Sequence, residues 1–265
     1  MRCKHCDAKL AAHDIWCVNC GRQTQIVNKD LSACTSLKRT WEKYKSVKGG
    51  NVPAAAVVLI LGLLPVAVLL IALHSFGYLD LVNLKTAGAL IVHLLAIGLG
   101  VCVFIPVFMI PFKPVCADPG YSLKWKDVLA AFRSYPRYLA LAAACVVYYI
   151  LIYLICFGLP NFGSDPILRL VWIVLLNYFA AIALPVPVLM ERLNVNALQA
   201  LKISYKNMHA VRWQIFLLAL ILAVLNALAL LILIVPLLVT VPFTWYAIRD
   251  YTDRLLEFEL LRPEK

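Results

Sequence analysis

The chain alternates between long apolar runs and shorter polar stretches. After 52 mostly polar residues, nearly uncharged apolar runs occupy 53–73, 86–111, 138–157, 167–190 and 213–248. One crossing of the hydrocarbon core takes about 20 apolar residues, so each of the first four runs predicts one spanning helix. The last run is too long for one crossing, and we interpret it as a helical hairpin that turns between Asn226 and Pro236. The pattern therefore predicts an all-α membrane protein with six transmembrane helices.

Composition and charge agree with this interpretation. Of 265 residues, 63% are hydrophobic and 15% are charged, and the mean hydropathy is +0.84. The net charge is +11, but 23 of the 25 Lys and Arg residues lie in the polar stretches 1–52, 112–137, 191–212 and 249–265. Positive charge stays on the cytoplasmic side of a membrane. The distribution predicts that both termini are cytoplasmic and argues against nucleic acid as a partner.

The N-terminal stretch "RCKHCDAKLAAHDIWCVNCG" holds two CxxC pairs, Cys3 with Cys6 and Cys17 with Cys20. Each CxxC turn places two thiolates on one side of a metal, and two such turns complete a tetrahedral four-sulfur site. The alternative is a pair of disulfides, which need an oxidising compartment. The predicted cytoplasmic location favours one structural Zn²⁺ per chain. His5 and His13 are further possible ligands, although four cysteines already fill the site.

The same stretch resembles the short zinc-ribbon domains found at the N-termini of many prokaryotic membrane proteins. The resemblance implies zinc binding and a location in the prokaryotic cytoplasmic membrane. It implies little about function. We expect a ribbon at 1–24, a basic linker with an amphipathic helix at 25–52, a six-span membrane domain at 53–252 and a cytoplasmic tail at 253–265.

The membrane part contains an apparent threefold internal repeat. A short segment of helical spacing precedes each odd-numbered span, with an aliphatic residue seven positions before a tyrosine: Leu37 and Tyr44, Val128 and Tyr135, Leu198 and Tyr205. Each even-numbered span carries two prolines and ends at a base. The predicted unit is an amphipathic helix, a span and a proline-kinked return span.

The motifs "LPVPVLMERLNVNALQALKISYKNM" and "VPLLVTVPFTWYAIRDY" resemble a group of uncharacterised six-span prokaryotic proteins. That group is related to the membrane domain fused to some glycerophosphodiester phosphodiesterases. The likeness implies a fold and no reaction, because nothing in the chain corresponds to the phosphodiesterase barrel itself.

Two sets of candidate binding residues remain. The bases that end the return spans, Lys113, Arg192 and Arg249, are candidates for binding anionic lipid at the inner leaflet. The polar residues His93, Asn177 and Asn226 form a candidate intramembrane site, although buried asparagines more often bond neighbouring helices. No residue set forms a catalytic constellation, and no Asp or Glu lies within a predicted span.

The sequence therefore predicts a non-enzymatic membrane protein that recruits a cytoplasmic protein partner through its ribbon or organises anionic lipid. The alternative is a transporter, channel or lipid-moving protein that uses a cavity between the repeats. An enzyme with an unrecognised active site is a third class.

Overall fold

A computed structural model of the chain describes residues 2–3, 5–11, 16–22, 31–75, 87–157, 166–207, 211–232 and 234–261; the side chains of 87–94 and 234 lie outside that description. These residues are helical apart from turns and connections, and none of them forms a β-strand. An isolated antiparallel bridge joins Arg2 and Lys9 near the N-terminus.

The described residues contain eleven α-helices. They are α1 (Ala33–Tyr44), α2 (Val52–Ser75), α3 (Ala87–Met109), α4 (Phe112–Ala117), α5 (Trp125–Ala131), α6 (Tyr135–Phe157), α7 (Pro166–Ala183), α8 (Val186–Leu193), α9 (Ala197–Asn207), α10 (Arg212–Ile232) and α11 (Ile234–Glu257). Short 3₁₀ turns at Lys48–Asn51 and Phe132–Ser134 lead into α2 and α6.

Five helical stretches in the described part of the chain are long and apolar enough to cross a membrane. They are Lys48–Ser75, Leu95–Ala117, Trp125–Cys156, Pro166–Leu193 and Arg212–Ile232, with mean hydropathy between 2.2 and 3.1. Their outer faces are apolar: on α2, Ile60, Leu64, Val68 and Ile71 are each more than half exposed. Such extensive exposed apolar surface is incompatible with water and identifies a multi-pass membrane protein.

The sixth long helix, α11, does not meet the same criterion. The apolar run 213–248 does divide as expected, since α10 ends at Ile232 and α11 begins at Ile234. However, only 15 residues of α11 precede Arg249, about 22 Å of helix at 1.5 Å per residue, and the hydrocarbon core is about 30 Å thick. The rest of α11 carries both acids and bases and continues through Glu257, past the predicted domain boundary at 252.

The six long helices pack as a closed ring in chain order. Helix α2 contacts α3, α3 contacts α6, α6 contacts α7, α7 contacts α10, α10 contacts α11, and α11 returns to α2. Successive helices therefore run up and down, and the short helices α1, α5, α8 and α9 collect at one end, which we call the capped end. This end carries most of the charged side chains of the described helices.

The order short helix, long helix, return helix occurs three times, but the three return helices differ. Residues Pro111 and Pro185 lie where α3 gives way to α4 and α7 to α8. In contrast, α11 continues through Pro242, and Arg249 lies well inside the helix rather than at its end. The sequence predicted a proline kink in each return span; two return spans are interrupted at a proline, and the third is one continuous helix through Pro242. A true threefold repeat stays a prediction.

A buried asparagine fixes the connection between α4 and α5 at the capped end. The Asn51 amide donates to the carbonyl oxygen of Tyr121 at 3.0 Å and accepts from the backbone N–H of Leu123 at 2.7 Å. Asn51 is fully buried at the start of α2. Residues 118–123 are thereby held against the ring, which places Tyr121 beside α11.

Candidate functional site

The two CxxC turns fold into matching knuckles. In the first, the N–H of Asp7 donates to the Cys3 carbonyl at 3.0 Å; in the second, the N–H of Gly21 donates to the Cys17 carbonyl at 2.8 Å. Asp7 and Gly21 both have positive φ, 54° and 65°, a conformation that glycine and aspartate tolerate better than most residues. The two knuckles are therefore equivalent, with Asp7 of the first at the position of Gly21 in the second.

The knuckles bring four sulfur atoms together. The Sγ atoms of Cys3, Cys6, Cys17 and Cys20 all lie within 4.8 Å of one another, with 3.7 Å between Cys3 and Cys20 and 3.4 Å between Cys6 and Cys17. Four sulfurs around a metal at about 2.3 Å would be about 3.8 Å apart in a tetrahedron. The separations fit a metal ion and exceed the 2.05 Å of a disulfide. The predicted cysteine set therefore can hold a metal.

Neighbouring thiols of the cluster perturb the pKa of Cys6 and that of Cys20. The Ala8 backbone hydrogen bond is the main cause that lowers the pKa of Cys6, to about 6. The Arg22 backbone also acts to lower the pKa of Cys20, but burial and the three neighbouring thiols outweigh it and raise that pKa to about 12. Four thiolates at this spacing repel one another, and a divalent cation at their centre removes that repulsion.

Of the two histidines considered as further metal ligands, the structure describes His5. His5 is exposed, and its Nδ1 lies 3.1 Å from the guanidinium of Arg22, so this contact uses a ring nitrogen outside the sulfur cluster. His13 lies outside the described residues.

A buried ion pair is the second prominent feature, and sequence reasoning missed its acidic member. Arg249, 5% exposed, donates to the Asp250 carboxylate at 2.9 and 3.1 Å and to the carbonyl oxygens of Val115 and Asp118 at 3.0 and 2.7 Å. Its guanidinium carbon lies 4.4 Å from the centroid of the Tyr121 ring. The available signal was the adjacent acid: an Asp directly after a base, at the end of an apolar run, needs a local partner if it is buried.

The Asp250 carboxylate ties three parts of the capped end together. Besides the Arg249 contacts, it accepts hydrogen bonds from the hydroxyls of Tyr121 and Thr40. Burial is the largest cause that raises the pKa of Tyr121, and the Asp250 carboxylate raises it further. The phenol therefore stays protonated and donates at physiological pH. This network joins α1, the 118–123 connection and α11.

The candidate lipid-binding bases have three different environments. Lys113 is exposed and donates to the Ser134 hydroxyl at 3.2 Å. Arg192 is paired with Asp253 through two hydrogen bonds of 2.9 and 2.7 Å. Arg249 is buried in the network described above. Only Lys113 offers a charge without a carboxylate partner among the described residues, and lipid binding by the three bases stays a prediction.

The candidate intramembrane residues do not form one site. The Asn177 amide donates to the carbonyl oxygen of Phe216 at 3.2 Å and joins α7 to α10. Asn226 donates to Thr244 and accepts from Thr240, each at 2.9 Å, and joins α10 to α11. Phe216 and Asn226 are ten residues apart on α10, about 15 Å along its axis. The His93 side chain lies outside the description.

No family model, curated protein or solved structure matches this chain. The resemblance to the phosphodiesterase-associated membrane domain thus has no support from a family match. The site geometry and the membrane helices carry the functional argument.

Proposed function

We propose that the chain is a non-enzymatic protein of the prokaryotic cytoplasmic membrane that binds anionic phospholipid at its capped end and carries a structural zinc ribbon. In this proposal the capped end and both termini face the cytoplasm. The ribbon provides a docking surface for a protein partner.

One observation supports lipid binding above the others. On the short helices of the capped end, exposed bases lie beside exposed aromatic rings: Lys38 near Trp41, Lys124 and Lys126 flanking Trp125, and Lys202 near Tyr205. The aromatic side chains are between 40% and 57% exposed. Aromatic rings favour the membrane–water interface, where one end is apolar and the other is wet. Each neighbouring base contributes about 1 kcal/mol toward an anionic surface.

The first and last described helices of the helical domain meet at the same end of the ring, which supports an even number of membrane crossings. The hydroxyl of Tyr251, near the end of α11, donates to the carbonyl oxygen of Leu31 at 3.0 Å, so both lie at the capped end. In this proposal α11 is a sixth, short crossing, and its charged C-terminal half lies at the interface.

Zinc is the metal that best suits the ribbon. Four cysteine sulfurs in tetrahedral spacing are typical of structural zinc sites, which leave no open position for water or substrate. Among the described residues of this small segment, the buried hydrophobic cluster consists of Cys3, Leu10 and Cys17. The metal therefore supplies the folding free energy.

An exposed apolar pair supports the protein-partner role of the ribbon. Trp16 and Val18, on either side of Cys17, are 50% and 93% exposed. Apolar side chains held outward by a rigid turn are suited to docking. The alternative of transport through the membrane receives less support, because the amides of Asn177 and Asn226 are used in helix–helix hydrogen bonds.

Lipid retention through purification tests the proposed function. The triple variant Lys124→Gln, Lys126→Gln, Lys202→Gln removes three exposed charges at the capped end, and its matched control replaces the same residues with Arg. We expect the Gln variant to retain about half or less of the phosphatidylglycerol that copurifies with the wild type, and the Arg variant to retain it fully. Equal retention in all three proteins would reject lipid binding at these helices.

A further inference from the structure

A charged cavity opens at the capped end. Its volume is about 460 Å³, and it lies between α1, the turn that follows α4, the end of α8 and the C-terminal half of α11. The cavity is rigidly built, since Asp250 and Tyr121 in its wall belong to the network that joins α1 to α11. It is large enough for a phosphate group together with the atoms esterified to it.

Most of the charges that line the cavity are neutralised within the protein. Arg249 pairs with Asp250, Arg192 with Asp253, and Arg254 with Glu257 at 3.4 Å. The remaining acid, Asp118, accepts the backbone N–H groups of Gly120 and Ser122, each at 2.7 Å. These side chains form the wall and leave few of their polar groups for a ligand.

Two bases of the lining remain without a carboxylate among the described residues. Arg39 and Lys43 are one turn apart on α1 and therefore lie on the same helix face. The Nη2 atom of Arg39 is buried, and no described atom accepts a hydrogen bond from it. The Lys43 ammonium is exposed and lies 5.5 Å from the centroid of the Tyr121 ring. A buried guanidinium N–H that lacks an acceptor is costly.

We propose that this cavity binds a phosphate-bearing anion, with Arg39 and Lys43 as its ligands. A guanidinium fork matches two phosphate oxygens, and a lysine ammonium adds a point charge to a third. In this structure Arg39 Nη2 is buried, so the ligand supplies its missing acceptor once the Arg39 guanidinium turns toward the cavity. The phosphate comes either from a phospholipid headgroup, in which case the inference rests on the proposed function, or from a free phosphate or phosphate ester.

Two variants and two controls test this inference on the full-length purified chain. Arg39→Gln and Lys43→Gln each remove one proposed ligand, and Arg39→Lys keeps the charge but loses the fork. Lys45→Gln is the matched control, because Lys45 lies at the end of α1, outside the cavity, and pairs with exposed Glu42. Exposed Lys43 is not needed for packing, so Lys43→Gln reports on binding even if substitution of Arg39 perturbs folding.

Two probes distinguish the source of the phosphate. Calorimetric titration with inorganic phosphate measures the free-anion form, and native mass spectrometry from phosphatidylglycerol nanodiscs counts bound lipid. For whichever probe binds the wild type, we expect Arg39→Gln and Lys43→Gln to weaken binding about tenfold or more, Arg39→Lys to be intermediate, and Lys45→Gln to match the wild type.

The inference is wrong if neither probe binds the wild type, or if Lys43→Gln and Lys45→Gln bind alike. The surface variant at Lys124, Lys126 and Lys202 separates this result from the proposed function. If the surface variant loses lipid and the cavity variants bind as the wild type does, only the proposed anion binding in the cavity is rejected. If the surface variant keeps its lipid and the cavity variants lose binding, lipid binding by the exposed surface is rejected and the cavity is retained.

Discussion

The Tyr251 hydroxyl donates a hydrogen bond to the carbonyl oxygen of Leu31 at 3.0 Å, across 220 residues of sequence. Both residues are buried, so the bond is part of the packed core of the capped end. It joins the segment that leads into α1 to the last described helix. The closed ring separately brings α11 beside α2, and this bond adds the segment before α1 to the same end of the ring.

Topology follows from this meeting of the two ends. We expect reporters attached near Lys45 and Arg254 to lie in the same compartment, and single cysteines introduced near residues 76 and 161 to react with an impermeant reagent from the opposite side. The physical reason is that both reporter positions lie at the capped end of an up-and-down ring. Reporters in opposite compartments would require five crossings and reject α11 as a span.

Metal content tests the ribbon. We expect about one zinc per chain in the wild type, with an X-ray absorption signal of four sulfur ligands at about 2.3 Å. Cys17→Ser should reduce bound zinc to near zero, because Cys17 is 1% exposed at the centre of the cluster and three ligands hold zinc poorly. Cys34→Ser is the control, since Cys34 is exposed on α1, and should retain full zinc. Nitrogen or oxygen ligands in the spectrum would contradict the four-sulfur assignment.

Substitution of Arg249 should lower the free energy of unfolding more than it affects lipid binding. Arg249→Gln leaves the Asp250 carboxylate buried without its cation, which costs about 3–5 kcal/mol. The double variant Arg249→Gln, Asp250→Asn should recover part of that loss. Arg254→Gln, which breaks a largely exposed pair, should cost about 1 kcal/mol or less.

The free energy of unfolding in mixed micelles is measured for Arg249→Gln, for the double variant and for Arg254→Gln, each against the wild type. If Arg249→Gln proves as stable as Arg254→Gln and instead loses bound anionic lipid, Arg249 is a lipid ligand and the buried pair has no structural role.

Asn226 should behave as a bond between helices rather than as a transport residue. Asn226→Leu removes its bonds to Thr240 and Thr244, and we expect a loss of about 1 kcal/mol in unfolding free energy. Val224→Leu, on an exposed position of the same helix, is the control and should be neutral. An Asn226→Leu protein as stable as the wild type would indicate that the hydroxyls of Thr240 and Thr244 find other partners and that their contact with Asn226 is incidental.

The apolar runs and the cysteine spacing determined much of this protein from sequence. Membrane helices follow from run length, because the bilayer sets a minimum number of apolar residues. The metal knuckles follow from CxxC spacing and from residues that tolerate positive φ at Asp7 and Gly21, both strictly local properties. The split of 213–248 into two helices follows from its length together with the distribution of Lys and Arg along the chain.

The capped end could not be deduced in the same way. Its cavity depends on α1, the 118–123 connection and α11 meeting from distant parts of the chain. Charge counting treats every Lys and Arg as equivalent, whereas the folded chain buries Arg249 against Asp250, pairs Arg192 with Asp253 and leaves Arg39 beside the cavity. Whether a base is neutralised or available depends on which carboxylate lies within hydrogen-bond distance, and only the tertiary structure decides that.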